Sequence, residues 1–536
     1  SFTVAAGGSQ VVAVTFTPYE NAILSGTITI SNNSNSSNTF TVTGVGTSEG
    51  GTAVSGLISS ITTWTLANSP YIVTGDILLN EGVTLTIEPG VTIKMLSGKV
   101  FQIKGTLIAQ GTSTSKITFT SNESSPSAGD WGYLKFFDES TDASFSGTTY
   151  TSGSILEYCI VEYGTALYIG NSAPFVHYSE FRYNSTGISV YNTSNSDDSD
   201  LLITNCDIHN NNRGIDCYAA WNRDDVIFSY NTIYDNSPSG GVYGSYGATY
   251  SYNTVKNNTY SGSSDVAGGI YSDNSYIHHN TISGNSATGD RAGGLGNGRG
   301  SDVSNNIIFN NTGYAVVIDD DLNNFTNNII IDGLTYFYNV ELGGSCTNNV
   351  FAGGVKGQIE FKNNNADFSK NAILNGSGNT FRINGESSYG LDQTVYFSKN
   401  LFSGNSSGYY VEHSNSGSGQ TYVETSQNNI INNDGFYIKA GSVNSSVENN
   451  WWGTTTESEI QEMVYDWNDD ASLGFLDYDP YLTAPSTLAP VSPPKNVVKQ
   501  STSGGVLLSW AANPETDVTG YKIHHGNFTG YSFASS

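Results

Sequence analysis

The chain has 536 residues, with 20 Lys and Arg against 48 Asp and Glu, a formal net charge of −28 and only 13% charged residues. Such a field repels a phosphate backbone and excludes nucleic acid as a partner. No apolar run is long enough to span a bilayer, and regularly spaced Ile, Val and Phe with 12% aromatic residues exclude a solvated, disordered tail.

An acidic surface suits a soluble extracellular protein, and it can hold Ca²⁺ where carboxylates converge. Cys159, Cys206, Cys217 and Cys346 are too few for a disulfide framework and lack metal-ligand spacing. They read as small buried hydrophobes.

In chain order, residues 1–48 come first. Val11-Val12-Ala13-Val14-Thr15-Phe16-Thr17-Pro18 and Gly26-Thr27-Ile28-Thr29-Ile30 resemble the closing strands of an immunoglobulin-like domain. Half a sandwich cannot bury its own face, so a longer native chain, or completion by a neighbouring subunit, is expected.

From residue 57 the pattern changes to coils. Alternation in Leu85-Thr86-Ile87 and Val91-Thr92-Ile93 marks the opening turns, Trp64 to Phe136. A triplet Asn-x-apolar then recurs, headed by Cys159, Ser179, Cys206, Asn231, Asn253, Asn280, Asn306, Asn328, Asn349, Asn371, Asn400, Asn429 and Asn450, at steps of 20 to 29 residues. The residue two places on is apolar every time: Val161, Phe181, Ile208, Ile233, Val255, Ile282, Ile308, Ile330, Phe351, Ile373, Phe402, Ile431 and Trp452. Two places before the triplet a Ser or Thr recurs, as at Thr204, Ser229, Ser251, Ser304 and Thr326, with His278 in the same column.

A period near two dozen residues with two-residue alternation predicts one strand-rich coil per repeat. Coils stacked at roughly 4.8 Å bring each apolar column onto its neighbour, and twelve steps span roughly 55–60 Å. The stacked asparagines are expected to hold left-handed bends and to bond the side chain above. A second column follows glycine, at Gly187-Ile188, Gly214-Ile215, Gly241-Val242, Gly269-Ile270, Gly294-Leu295 and Gly435-Phe436, where glycine would permit a sharp bend. The fold class is therefore all-β, a right-handed parallel β-helix.

The opening residues Ser69-Pro70-Tyr71-Ile72-Val73, Thr84-Leu85-Thr86-Ile87-Glu88-Pro89-Gly90-Val91, Gly105-Thr106-Leu107 and Gly129-Asp130-Trp131, with the closing Asn449-Asn450-Trp451-Trp452-Gly453-Thr454, resemble bacterial secreted, pectate-lyase-like β-helix proteins. The resemblance covers roughly residues 57–482. It implies architecture and an extracellular or cell-surface setting. Many such proteins cut acidic polysaccharides with carboxylates, Ca²⁺ and a Lys or Arg base, or with an acid–base carboxylate pair, and no complete signature of either is present.

Three clusters can carry chemistry. Arg213, Asp216, Arg223, Asp224 and Asp225 could anchor a uronate and take its proton, or form a surface ion-pair loop. Tyr234, Tyr243, Tyr246, Tyr250, Tyr271, His278, His279, Asp290, Arg291 and Arg299 lie across Gly-rich coils, where ring faces suit sugar stacking and small residues leave room for a groove. Tyrosine also belongs to ordinary strand faces. Asp319, Asp320 and Asp321, like Asp466, Asp469, Asp470, Asp477 and Asp479 further on, could hold Ca²⁺ or serve as hydrated turns.

Thr456-Glu457-Ser458-Glu459 has capping-box form, and Ile460, Met463, Val464 and Trp467 follow at helical spacing, predicting a short amphipathic helix over the last coil. A Pro-rich linker occupies 483–494. Residues 495–536, with Val506-Leu507-Leu508-Ser509-Trp510 and Asp517-Val518-Thr519-Gly520-Tyr521-Lys522-Ile523, resemble the opening strands of a fibronectin type III domain.

The sequence thus reads as an extracellular structural or adhesive β-helix, glycan-binding through the tyrosine cluster and part of a larger multi-domain chain. The alternatives are a polysaccharide lyase or glycoside hydrolase using Arg213, Asp216, Arg223, Asp224, His279 or Arg291, and a self-associating filament subunit.

Overall fold

The computed structural model describes residues 23–31, 37–45, 51–192, 200–219, 225–262, 266–289, 291–297, 299–361, 366–376, 381–384, 393–406, 421–435, 437–441, 444–513, 515, 518–521 and 523. Its body is a right-handed parallel β-helix of about 14 turns. Among the described residues its strands form three parallel sheets. Sheet A contains Phe175–His177, Leu201–Thr204, Val226–Ser229, Thr249–Ser251, Tyr276–His278 and Ser301–Ser304. Sheet B carries the triplets, from Cys159–Glu162 through Glu180–Arg182 and Asp207–His209 to Asn429–Ile431. Sheet C contains Gly164–Gly170, Thr186–Asn192, Arg213–Ala219, Val242–Tyr246, Ile270–Ser272 and Ala292–Asn297. It continues into the long strands Tyr314–Thr326 and Thr335–Thr347, which run on from sheet C into sheet A.

The predicted apolar column is the interior of the helix. Val161, Phe181, Ile208, Ile233, Val255, Ile282, Ile308, Ile330, Phe351, Ile373, Phe402 and Trp452 are all buried. The four cysteines are free and buried as read. Burial pushes the thiols of Cys206 and Cys217 up to about 12, so they stay protonated and inert.

Each ladder asparagine has all its polar atoms engaged. Asn306 is typical: its Oδ1 accepts the backbone N–H (2.9 Å) and Nδ2 (3.0 Å) of Asn280. Its own Nδ2 donates to Ile277 O (2.8 Å) and Asn328 Oδ1 (3.0 Å). The unit repeats from Asn231 to Asn450. A second ladder, absent from the sequence reading, runs through Asn184, Asn211, Asn236, Asn258, Asn285 and Asn311 at the corner between sheets B and C.

Three expectations are corrected in detail. The left-handed residue is not the ladder asparagine but the one before it, at Tyr158, Tyr178, Asn205, Tyr230, Tyr252, His279, Asn305, Asn327 and Asn348, with φ between 45° and 59°. The ladder passes through Asn428 rather than Asn429, and Ile430 rather than Ile431 enters the core. Asn428-Asn429-Ile430-Ile431 satisfies Asn-x-apolar in either register, and only pairing with Leu401-Phe402 chooses. The glycines of the second column at 187, 214, 241, 269 and 294 are needed for close approach, not bending, whereas Gly435 does hold a left-handed bend at φ 71°. A Cβ at Gly214 would lie 2.4 Å from Gly241 O and 3.0 Å from Asn236 Nδ2, and the same contact recurs at Gly187, Gly241, Gly269 and Gly294. Phe436 lies outside the described residues.

The outer face of sheet B changes character along the helix. Early coils carry Lys116, Glu162, Glu180, Arg182 and His209, joined by Lys116–Glu180 (3.0 Å), Arg182–Glu162 (2.7 Å), Arg182–Glu180 (2.6 Å) and His209–Glu180 (3.2 Å). The hydrogen bond from His209 outweighs burial and, with Lys116 and Arg182, holds the Glu180 carboxyl at about 2. Burial opposes charging of His209, but its bonds to Glu180 and Asn210 prevail and raise its pKa. Later coils present Ile307, Ile329, Val350, Ala372 and Leu401 outward in one register.

The Pro-rich segment read as a linker lies across the end of that apolar column. Ser486 N–H donates to Asn429 Oδ1 (2.7 Å), Asn429 Nδ2 returns a bond to Ser486 O (3.0 Å), and Ala489 is buried. Leu488, Ala489 and Pro490 border a hollow with Val350 and Ala372.

The terminal cap is less helical than predicted. The α-helix is only Glu457–Gln461, and Thr456 makes no side-chain capping bond. Ile460 plugs the core, Val464 pairs in a short strand with Ile438, and Trp467 is exposed. The flanks show antiparallel hairpins, Ile23–Ser31 with Ser37–Val45 and Lys495–Thr502 with Gly505–Ala511. Residues 11–18 lie outside the described residues. Among the described residues no helix is long and apolar enough to cross a membrane.

Two measurements follow. Asn306→Ala strands two buried donors of Asn280 and one carbonyl, each worth roughly 1–3 kcal/mol, and is expected to cost about 3 kcal/mol or more by urea unfolding. Asn305→Ala disturbs only a left-handed bend and should cost about 1–2 kcal/mol; equal costs would refute the ladder assignment. The Glu180–His209 contact stabilises above the unfolded Glu value near 4.5 and below the unfolded His value near 6.5. It is lost as pH falls towards about 2 and as pH rises through the raised His209 pKa. Urea midpoints at pH 3, 5.5 and 8 should therefore peak at 5.5, and Glu180→Gln should flatten both arms.

Candidate functional site

The outward side chains of sheet C form two columns. One register line runs Tyr168, Ser189, Asp216, Tyr243, Tyr271, Gly296, Val317, Tyr336 and Lys356. Beside it stand Tyr191, Tyr218 and Tyr246 on earlier coils and Asp319 paired with Tyr338 on later ones. Strand alternation makes this inevitable once the inner residues are apolar.

Within the first line the large rings stop at Tyr271 and resume at Tyr336. Three coil steps separate them, roughly 14 Å at strand spacing, and Gly296 and Val317 make the floor between. The result is a slot of about 240 Å³ lined by Tyr271, Gly296, Val317, Tyr336, Arg291, Asp319 and Tyr338, with Val266, Ala292 and Asn297 at its margin. That is just under the roughly 300–1,000 Å³ of drug-sized sites. A Cβ at Gly296 would stand 3.0 Å from Tyr271 Cδ2 and 3.4 Å from Ala267 Cβ, so glycine keeps the floor low.

Both tyrosine walls are braced from behind. Tyr271 stacks on Tyr243 (5.7 Å between centroids, 11°), and the Arg213 guanidinium lies 4.9 Å above Tyr243. On the other side, Lys356 Nζ lies 4.4 Å from the Tyr336 ring and hydrogen-bonds Tyr314.

Downstream along the strands the slot becomes acidic. Burial raises the Asp273 carboxyl, against the Arg299 N–H (3.2 Å) and the Tyr271 hydroxyl, and Asp319 adds to the rise. Burial, then the charge of Asp273, pushes the Tyr271 hydroxyl up. Arg299 bonds Asp320 at 2.8 Å, but both are largely exposed and the pair adds little to stability.

The residues singled out from sequence are thus distributed over several places. Tyr271, Arg291 and Asp319 meet at the slot, and Tyr243 braces it. Tyr246 lies on the same sheet, edge-on to Tyr218. Tyr234 belongs to sheet B, stacked on His209 at 4.6 Å with Lys256 over its ring. Tyr250 is corrected from a glycan contact to a core residue, fully buried and stacked on Phe228, because its position falls on the inward side of sheet A. His278 and His279 stand at the corner between sheets A and B. Arg213 pairs with Asp216 at 3.1 Å on the face of sheet C; Arg223 and Asp224, like Asp290, lie outside the described residues.

The acidic groups do not converge. Asp320 turns away in a left-handed bend to meet Arg299, while Asp321 pairs in register with Glu341. Buried Asp466 accepts N–H bonds from Asn468 and Leu476, Asp469 accepts that of Asp466, and Asp470 caps Ser472. Among the described residues no three His, Cys, Asp or Glu side chains are gathered as a metal would require. Gly296 belongs to the small-residue run Gly293-Gly294-Leu295-Gly296 read as leaving room for a groove, whereas Asp273, Val317, Tyr336 and Tyr338 escaped the sequence reading. Their signal was positional, since Tyr271, Gly296, Val317 and Tyr336 share one register, but uneven coil lengths hid it.

Comparison with known families agrees with this architecture. Residues 56–195 match the model of a pectate-lyase-like β-helix domain, and residues 169–354 match that of the periplasmic copper-binding protein NosD. No curated protein and no solved structure gives a significant match.

Proposed function

We propose that the chain is an exported β-helix protein that holds a neutral glycan in the slot on sheet C. The observation that carries this is the pair of braced tyrosine walls, Tyr271 and Tyr336, facing each other over the Gly296–Val317 floor. Sugar rings present C–H faces that pack on aromatic rings, while their hydroxyls need donors and acceptors at the rim. Arg291, Asp319 and Tyr338 supply both. Asp273 and Asp319 beside the slot, in a chain of net charge −28, disfavour a uronate and favour an uncharged sugar.

Export accords with the two families whose models match. The hairpins at Ile23–Val45 and Lys495–Ala511 support the immunoglobulin-like and fibronectin type III readings, on which the chain is a surface protein presenting the slot from its solenoid.

Isothermal titration against neutral and uronate oligosaccharides tests the reading. Binding of a neutral oligosaccharide is expected, weakened about tenfold by Tyr271→Ala or Tyr336→Ala, the equivalent of about 1.4 kcal/mol, and abolished by Gly296→Leu. Undiminished binding in all three variants, or tighter binding of uronates, would overturn it, and newly released reducing ends would identify an enzyme instead.

A further inference from the structure

We propose that the slot is one of two subsites on sheet C, and that a single linear chain of neutral sugars lies across both, parallel to the helix axis. The inference rests on the glycan reading of the slot and adds the length and direction of the ligand to it.

The second subsite lies on the same register line. From Tyr271 the line runs back through Tyr243, Asp216 and Ser189 to Tyr168. Tyr168, Ser189, Asp216 and Tyr243 thus repeat, four coils earlier, the order of Tyr271, Gly296, Val317 and Tyr336. Each set is a tyrosine, two residues without rings and a second tyrosine. Three coil steps separate the tyrosines of either set, roughly 14 Å. The sets meet where Tyr243 stacks on Tyr271, 5.7 Å between centroids.

A lysine stands at each outer end. Lys135 precedes Tyr168 in the line, with its Nζ 4.6 Å from that ring, and Lys356 follows Tyr336 at 4.4 Å. In residue type the line is therefore close to a mirror image of itself about the central stack.

The earlier gap has groups that suit a sugar. Ser189 is its floor, with a hydroxyl that can donate or accept. The Arg213–Asp216 pair, closed at 3.1 Å, is neutral as a unit and offers a planar fork of donors beside carboxylate lone pairs. Its guanidinium lies 4.9 Å from the Tyr243 ring, so polar groups front that side of the gap, while Tyr168 supplies a ring on the other. Beside the line Tyr191 and Tyr218 stack at 5.1 Å and 19°, and Tyr191 is 48% exposed.

The surface between the gaps is what joins them. Their centres are four coil steps apart, roughly 19 Å, and Tyr243 and Tyr271, with Tyr246 beside them, pave that interval. A sugar chain following the line passes over those rings from one gap to the other, whereas one crossing the line reaches a single gap. Two contacts made by one ligand render the second intramolecular and can raise affinity by roughly 10²–10⁴ without any new contact.

Calorimetric titration of the full chain with cello-, manno- and xylo-oligosaccharides, each from trisaccharide to hexasaccharide, tests both length and direction. The trisaccharide is too short to reach both gaps. The hexasaccharide of the recognised series is expected to bind as one ligand per protein, at least about tenfold tighter than the trisaccharide. Ser189→Leu, which fills the second floor, and Tyr168→Ala should each bring the hexasaccharide down to the affinity of the trisaccharide. Equal affinity for the two lengths, two hexasaccharides per protein, or a gain that survives both variants would overturn the second subsite and leave the slot standing. Failure of every oligosaccharide to bind would overturn the slot and the second subsite together.

Discussion

The buried asparagine amide is the constraint from which the rest of this molecule follows. At each corner the chain turns inside a stack, with a coil above and a coil below, so the backbone N–H at the bend has no access to water. Only a side chain that both accepts and donates can satisfy it and pass the same demand to the next coil. Asparagine does this with one amide, and a run such as Asn253, Asn280, Asn306 and Asn328 sets the rise and the register together. Leaving one such group unpaired costs more than most single contacts provide.

Once register is set, every strand position becomes a column, and the columns decide what each face is. The inner columns are mostly apolar, with Ser272 and Asn297 the buried polar members of the inward column of sheet C. The outer column of sheet B passes from ion pairs around Glu180 to aliphatic residues covered at one end by the Ser486–Pro490 segment. The outer columns of sheet C are largely tyrosine, and the slot exists because two successive members, Gly296 and Val317, are small. A functional feature here is a local exception in a repeated series, not an added loop.

The same logic explains six tyrosines in left-handed bends, at Tyr158, Tyr163, Tyr178, Tyr183, Tyr230 and Tyr252. A bulky side chain there is unfavourable, yet Tyr158 stacks on Tyr178 and Tyr230 on Tyr252 about one coil apart. Coil-on-coil stacking offsets the backbone cost, as the amide ladder does for the polar groups beside it.

The β-helix, its apolar interior, the free buried cysteines and the ladder through most coils were legible in the sequence, because each is a statement about recurrence at one position. Where the text allowed two recurrences, as at Asn428-Asn429-Ile430-Ile431, only the neighbouring strand could choose. The candidate site was half legible: Tyr271, Arg291 and Asp319 stood out as residue types and Gly296 as part of a groove-making run, while Val317 and Tyr336 did not. Tyr250 was indistinguishable by type from the tyrosines that face solvent. Sequence alone determined period, alternation and therefore architecture, since these are one-dimensional properties that stacking merely repeats. Which tyrosines face each other, which carboxylates lie beside them and where the Pro-rich segment rests were decided by tertiary structure, because coils of 20 to 29 residues bring positions together by hydrogen-bond register and not by distance along the chain.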